Sequence, residues 1–216
     1  MTETTMLIEK ARLEFLVFAF FGSCKEPFPA VSKRAYRDLC RTLLIKGKDG
    51  STCRTQVDTL IEKNVVELLD SKITSQFEYD QWHYDTCIKM KRIYKAKDII
   101  FTFGHAQKWI NMSLKYLYMH GAWDLSRVFA FFHVPIDSYI LSIVEEQLQI
   151  ERPCNIWSKI DDYVIYLGYQ RAISEKLHNQ PQPVEPLRWE FASWLIEAES
   201  KYIASKAEYD VPVRKE

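Results

Sequence analysis

The chain has 216 residues, 47% hydrophobic and 14% aromatic, enough for one substantial core. Its 29 basic and 29 acidic residues leave a formal net charge of zero. That argues against non-specific nucleic-acid binding by bulk charge, because phosphate affinity comes mainly from clustered Lys and Arg.

The six glycines and the rarity of strand-like alternation point to helices throughout. Residues 4–22 read as a first helix stopped by Gly22. Glu3, Glu9, Arg12 and Glu14 interrupt its apolar run, so no signal peptide is expected. The stretch from Phe15 to Phe21 falls far short of the ~20 residues of a membrane span, so no membrane contact is expected. Lys25 to Val31, with two prolines, reads as a loop, and Ser32 as the cap of a helix through Leu44. Lys46 to Gly50 is a polar turn. A helix from Ser51 or Thr52 follows, with Val57, Leu60, Ile61, Val65 and Leu68 on one face.

Ser75 to Lys97 is a long amphipathic segment whose aromatic face gives way to Lys89, Lys91, Arg92, Lys95 and Lys97, a candidate basic face. Trp82-His83-Tyr84-Asp85 within it reads as core aromatics with a satisfied histidine. Gly104 to Gly121 is a helix apolar over a wide arc and therefore central. Residues 122–132 form an aromatic connection, Pro135 opens a helix running to Ile150, and Pro153 breaks it. Trp157 to Leu177 is the next helix, Asn179 to Pro186 a linker, and Arg188 to Ser205 the last helix, with Trp189 and Trp194 as packing anchors. The tail after Glu208 is expected to fray. The sum is an all-α chain of roughly eight helices. It is one domain over 1–216, undivided or split into lobes at 1–100 and 101–216.

Cys24, Cys40, Cys53, Cys87 and Cys154 are odd in number and contain no Cys-x-x-Cys pair. They are expected to be buried, reduced thiols of a cytoplasmic protein rather than a zinc knuckle or disulfide framework.

One stretch carries chemistry. Gly104 enters a helix, where backbone N–H groups and the helix dipole favour a phosphate. Lys108 follows in its first turns, and an amine in an apolar setting has a lowered pKa and can attack an electrophilic sugar carbon. Asp137, after Pro135, would stabilise positive charge on a sugar or orient a water. Taken singly, Lys108 suits a solvated surface and Asp137 a helix cap; the pairing makes them a candidate site. His105 and Gln107 share the helix start, where His105 could meet a phosphate and Gln107 contact DNA, and His133, before the aspartate, joins them as a substrate-binding candidate or caps the next helix. With Asp137, the two histidines match no metal-ligand spacing, so no metal or other cofactor is expected. Trp157 and Tyr163 could stack on an extruded base and Gln170 read its edge. The alternative for Trp157, Ile160, Val164 and Leu167 is a helical core stripe.

This segment resembles the helix-hairpin-helix DNA glycosylases, particularly their 8-oxoguanine glycosylase-like branch. That family carries a Gly-x-Gly-x-Lys hairpin, a helix, and then a Pro-Val-Asp segment. Gly104 and Lys108 match the hairpin, and Pro135-Ile136-Asp137 the aspartate segment. Ala106 stands at the second hairpin glycine, and the spacer to Asp137 is longer than the family's. The resemblance covers about a quarter of the chain. It implies a DNA glycosylase/AP lyase acting on a modified purine. Lys108 would be the Schiff-base nucleophile, Asp137 would assist glycosidic cleavage, and the amides after Phe103 would hold a phosphate. The chain also resembles compact bacterial proteins of this fold found beside antiviral defence genes. That implies a second possibility, a non-catalytic sensor of nucleotide or DNA with protein partners in a defence operon. A third is a helical adaptor in which the matched segments only pack.

Overall fold

The computed structural model describes residues 3–45 and 49–209. Eight α-helices and no strand occur among them: α1 (Glu3–Phe21), α2 (Pro27–Leu39), α3 (Gly50–Asp70), α4 (Gln76–Lys95), α5 (Phe103–His120), α6 (Ser138–Ile143), α7 (Tyr163–His178) and α8 (Pro186–Tyr209). Most of the polar turn expected at 46–50, and the tail from 210, lie outside the described residues.

The helix ends follow local chemistry. Gly22, at φ +84°, supplies the left-handed residue that stops α1. Pro27 opens α2 in the first turn, where its missing N–H costs nothing, so helix replaces the loop expected over 25–31. Ser32 therefore lies inside α2 rather than capping it. It is fully buried, donates to Asp58 and accepts from Trp109 Nε1 at 3.0 Å. Asp49 caps α3, and Ser75 with Glu78 forms a reciprocal capping box on α4. The helix expected over 157–177 is shorter: a 3₁₀ turn at Trp157–Lys159 comes first, and Asp162 caps α7 by accepting from Val164 and Ile165 N–H groups. That cap stops α7 from running back through the turn.

Helix α5 is the axis of the molecule. Almost every side chain from Phe103 to Leu117 is buried, against α2 on one side and α4 and α7 on others. A helix apolar over a wide arc is expected to be central, and here the enclosure extends to its polar members His105, Gln107, Lys108, Asn111, Ser113 and Lys115. One continuous core runs from Phe28 in α2 to Trp189 in α8. Residues 132–136 are fully buried without being helical, which leaves their peptide groups to be satisfied by side chains. Only Cys53 and Cys87 are buried thiols; Cys24 is exposed and Cys40 and Cys154 are half-buried, because they fall on helix ends and loops rather than on core faces. No helix is long and apolar enough to cross a membrane among the described residues.

Candidate functional site

Lys108 and Asp137 meet. The Lys108 amine donates to Asp137 Oδ2 at 2.7 Å, with side-chain exposures of 4% and 23%, so the pair reaches solvent chiefly through the carboxylate. Asp137 is the N-cap of α6 rather than a first-turn residue. Its Oδ1 accepts from Ile140 N at 2.9 Å while Oδ2 faces the lysine. Burial pushes the Asp137 carboxyl upward, but the lysine charge, its hydrogen bond and the cap amides outweigh that and hold it below the usual carboxylate range.

Gln107 brings the two together. Its Oε1 accepts from Ile136 N at 3.1 Å and its Nε2 donates to Ile136 O at 2.8 Å, as a neighbouring strand would. Gln170 of α7 repeats the device one residue pair upstream, with Val134 N at 3.0 Å and Val134 O at 2.7 Å. The buried stretch before Asp137 is thus clamped between α5 and α7 by two side-chain amides, and Pro135 between them has no N–H to satisfy. Neither glutamine has a free polar edge for a base.

The α5 N-terminus is also fully engaged. Phe103 N donates to Asp161 Oδ1 at 3.2 Å, Gly104 N to Ile160 O at 2.7 Å, His105 N to Thr102 Oγ1 at 3.2 Å and Ala106 N to Thr102 O at 3.1 Å. The seat expected for a phosphate is taken by the chain's own carbonyls, hydroxyl and carboxylate. Asp161 supplies the negative charge favoured by a helix start, and Lys91 holds it while stacking 3.9 Å over Phe103. Gly104 does serve a close approach, but to the 157–160 turn: a Cβ there would lie 2.1 Å from the Trp157 carbonyl oxygen. Trp157 is buried against His105, whose Nδ1 accepts from Thr102 N at 3.1 Å; burial pushes His105 down to about 4.

His133, Tyr163 and Gln170 join a second constellation that no motif announced. Asp80, buried, accepts from His133 Nε2 at 3.0 Å, Gln76 Nε2 at 2.9 Å and Arg171 Nη2 at 2.9 Å. Burial alone would raise its pKa; the hydrogen bonds from His133 and Gln76, then the His133 and Arg171 contributions, bring it to about 2. His133 Nδ1 lies 3.0 Å from the Tyr166 hydroxyl, which also accepts from Asn111 Nδ2 at 3.0 Å. His83 bridges the Tyr163 hydroxyl at 2.9 Å and Asn111 Oδ1 at 3.1 Å, so the histidine of the aromatic cluster is satisfied. Burial lowers both imidazoles, the buried His83 far more, and His133 stays neutral as a donor to Asp80. A cavity of about 360 Å³ opens on Asp80, His133, Gln170 and Arg171, and one of about 510 Å³ on Phe77, Tyr84, Phe103 and Tyr163; neither is lined by Lys108 or Asp137.

A second buried ion pair lies two turns along α5 from the first. Lys115 donates to both oxygens of Glu190 in α8 at 2.6 Å, with exposures of 9% and 2%. Burial drives the lysine below and the glutamate above their ordinary values, their attraction offsetting only part. Both members feel Lys108 and Asp137, so the crease between α5, α6 and α8 holds four interacting charges. Trp189 is buried as an anchor, whereas Trp194 is partly exposed beside Lys115 and Tyr139. The pairing of Lys115 with Glu190 spans 75 residues, and no local pattern marks it. No group of three or more His, Cys, Asp or Glu suited to a metal occurs among the described residues. No family model, curated protein or solved structure matches the chain.

Proposed function

We propose that this protein excises a modified purine such as 8-oxoguanine from DNA, with Lys108 as nucleophile and Asp137 as its partner. The observation that carries the proposal is the 2.7 Å amine–carboxylate contact between residues 29 apart, held in register by Gln107. Asp137 is the base within reach of the ammonium proton, and loss of that proton frees the amine lone pair. The Lys108 nitrogen then bonds to the sugar C1′. The N-glycosidic bond breaks, and its electron pair leaves with the base, which takes up a proton. Opening of the sugar ring gives an imine, and the carboxylate offsets the positive charge of the states around it.

Borohydride trapping tests this. Wild-type protein on duplexes carrying 8-oxoguanine or an abasic site should give a covalent adduct, lost in Lys108→Gln and reduced in Asp137→Asn. No adduct on either duplex with folded protein refutes the lyase chemistry.

A second function, non-catalytic sensing of a nucleotide or DNA end, is favoured by the enclosure of Lys108, whose side chain is 4% exposed and whose amine is already bonded to Asp137. Salt-sensitive binding without trapping supports it. Absence of both binding and trapping leaves the adaptor.

A further inference from the structure

We propose that α1 pairs with the α1 of a second copy, antiparallel, making a two-fold dimer. The ring contacts of the helix with the body lie at its C-terminal end, where Phe20 and Phe21 pack on Tyr116, and further back the Cys24 thiol meets Glu14 O. Along the rest, Met6, Leu7, Ile8, Leu13, Phe15, Leu16 and Phe18 are 52% to 69% exposed. Isolated exposed apolar residues are ordinary, but a run of seven on one helix is not.

Their order gives the face. Ile8, Ala11, Phe15 and Phe18 follow the alternating three- and four-residue spacing of a coiled-coil seam. With Leu7 and Ala19 they fill an arc of about 120° at 3.6 residues per turn, free of charged side chains. The opposite arc, with Met6, Leu13 and Val17, lines the groove against His120 and Gly121. The seam therefore looks outward.

Three observations select a second copy as the occupant. Leu7, Ile8, Phe15 and Phe18 on the seam and Leu16 beside it, each more than half exposed, offer roughly 500 Å², the greater part of the ~800 Å² that one partner buries in a standard interface. Each flank of the seam carries an acid and a base one turn apart, Lys10 with Glu14 and Glu9 with Arg12, which pair within the helix. Reversing the direction of a second copy sets base against acid on both flanks. The formal net charge of zero gives two copies no long-range repulsion. Antiparallel pairing also sends the two bodies to opposite ends, and it places the small Ala11 where the helices cross. Only two basic residues flank the seam within the described side chains, so it lacks the Lys/Arg-rich face of a helix lying on anionic lipid.

The test is the mass of the full chain in solution, by light scattering and sedimentation from about 1 to about 100 µM, a range that standard interfaces span. The expected result is twice the 25.6 kDa chain mass. Phe15→Glu and Phe18→Glu should return the chain to single mass with unchanged helicity by circular dichroism. Ala11→Cys in a Cys24→Ser background should form an intermolecular disulfide under oxidation. The proposal is overturned if the wild type stays at single mass throughout. It is equally overturned if Phe15→Glu remains dimeric, or if a single-mass protein floats with phosphatidylcholine–phosphatidylserine vesicles.

Discussion

Replacing Gln107 by leucine isolates the device that sets Asp137 beside Lys108. The change replaces the carboxamide by a shorter branched apolar end and removes three hydrogen bonds: Ile136 N at 3.1 Å, Ile136 O at 2.8 Å and Asn111 Nδ2 at 3.1 Å. Asn111 keeps the Tyr166 hydroxyl at 3.0 Å, so its loss is small. The Ile136 peptide groups are fully enclosed and gain no water. At ~1–3 kcal/mol for each unsatisfied group, the pair costs about 3 kcal/mol, and the added apolar burial returns about 1. A net loss of about 2 kcal/mol lowers Tm by roughly 4–8 °C in a chain of this size. Calorimetry measures it. If Asp137 is positioned by this clamp, borohydride trapping should fall at least ~10-fold, since a displacement of 1 Å costs up to about a hundredfold. A Tm within 1 °C of wild type would refute the clamp. A lowered Tm with undiminished trapping would leave the clamp structural and remove its positioning role.

Three further outcomes follow from the same contacts. Gly104→Ala should lower stability by about 1–3 kcal/mol, because its Cβ meets the Trp157 carbonyl oxygen; an exchange without that contact would instead gain up to ~1 kcal/mol in a helix, so a raised Tm sinks the argument. Lys115→Met and Glu190→Leu should each cost about 3–5 kcal/mol singly by stranding a buried charge, while the double variant stays near wild type in denaturant unfolding; additive losses would contradict an isolated pair. Stability should fall with acidity. Burial depresses His83, His105 and His133 in the folded state, so below the unfolded value of about 6.5 the unfolded chain binds protons that the native one refuses. Between pH 7.5 and 5.5 His105, held at about 4, alone contributes a loss on the order of 1 kcal/mol, His83 and His133 add to it in the same direction, and Glu190 with its raised pKa opposes it; equal urea midpoints at the two pH values would refute neutral burial.

Much of the fold was legible because helical periodicity is local. The apolar sweep of α5, the stop at Gly22 and the Ser75 cap all follow from residues within a turn or two of each other. The errors sit where competing local signals met. Pro27 reads equally as loop or first helical turn, and Ser32 as cap or core. Asp162, five residues beyond the predicted start at Trp157, cut α7 away from that tryptophan. The Lys108–Asp137 contact was reachable through the resemblance, since each residue sits at a recognisable helix start. Its environment was not. Gln107 and Gln170 satisfy peptide groups 29 and 36 residues away, His133 meets the Asp80 carboxylate 53 residues away and Trp157 packs edge-on against the His105 ring 52 residues away, and no spacing encodes that.

The two buried pairs on α5 carry the same chemistry and differ in what surrounds them. Glu190 faces Lys115 with both oxygens and is almost wholly enclosed, so the pair's charges are spent on each other. Asp137 faces Lys108 with one oxygen, uses the other for a helix cap and keeps an edge toward solvent. A buried pair earns little net stability, because desolvation consumes most of the attraction. Two such pairs therefore need a reason beyond holding α5 in place. For Lys115–Glu190 that reason is register: it fixes α8 along the crease. For Lys108–Asp137 register is already supplied by Gln107 and Gln170, which clamp the same segment with neutral amides at lower desolvation cost. A charged pair added to a segment already fixed, and left open on its carboxylate side, is what the proposed chemistry requires, and Lys108→Met with Asp137→Leu should therefore abolish trapping while leaving Tm near wild type; a large loss of Tm in the double variant would make the pair a scaffold.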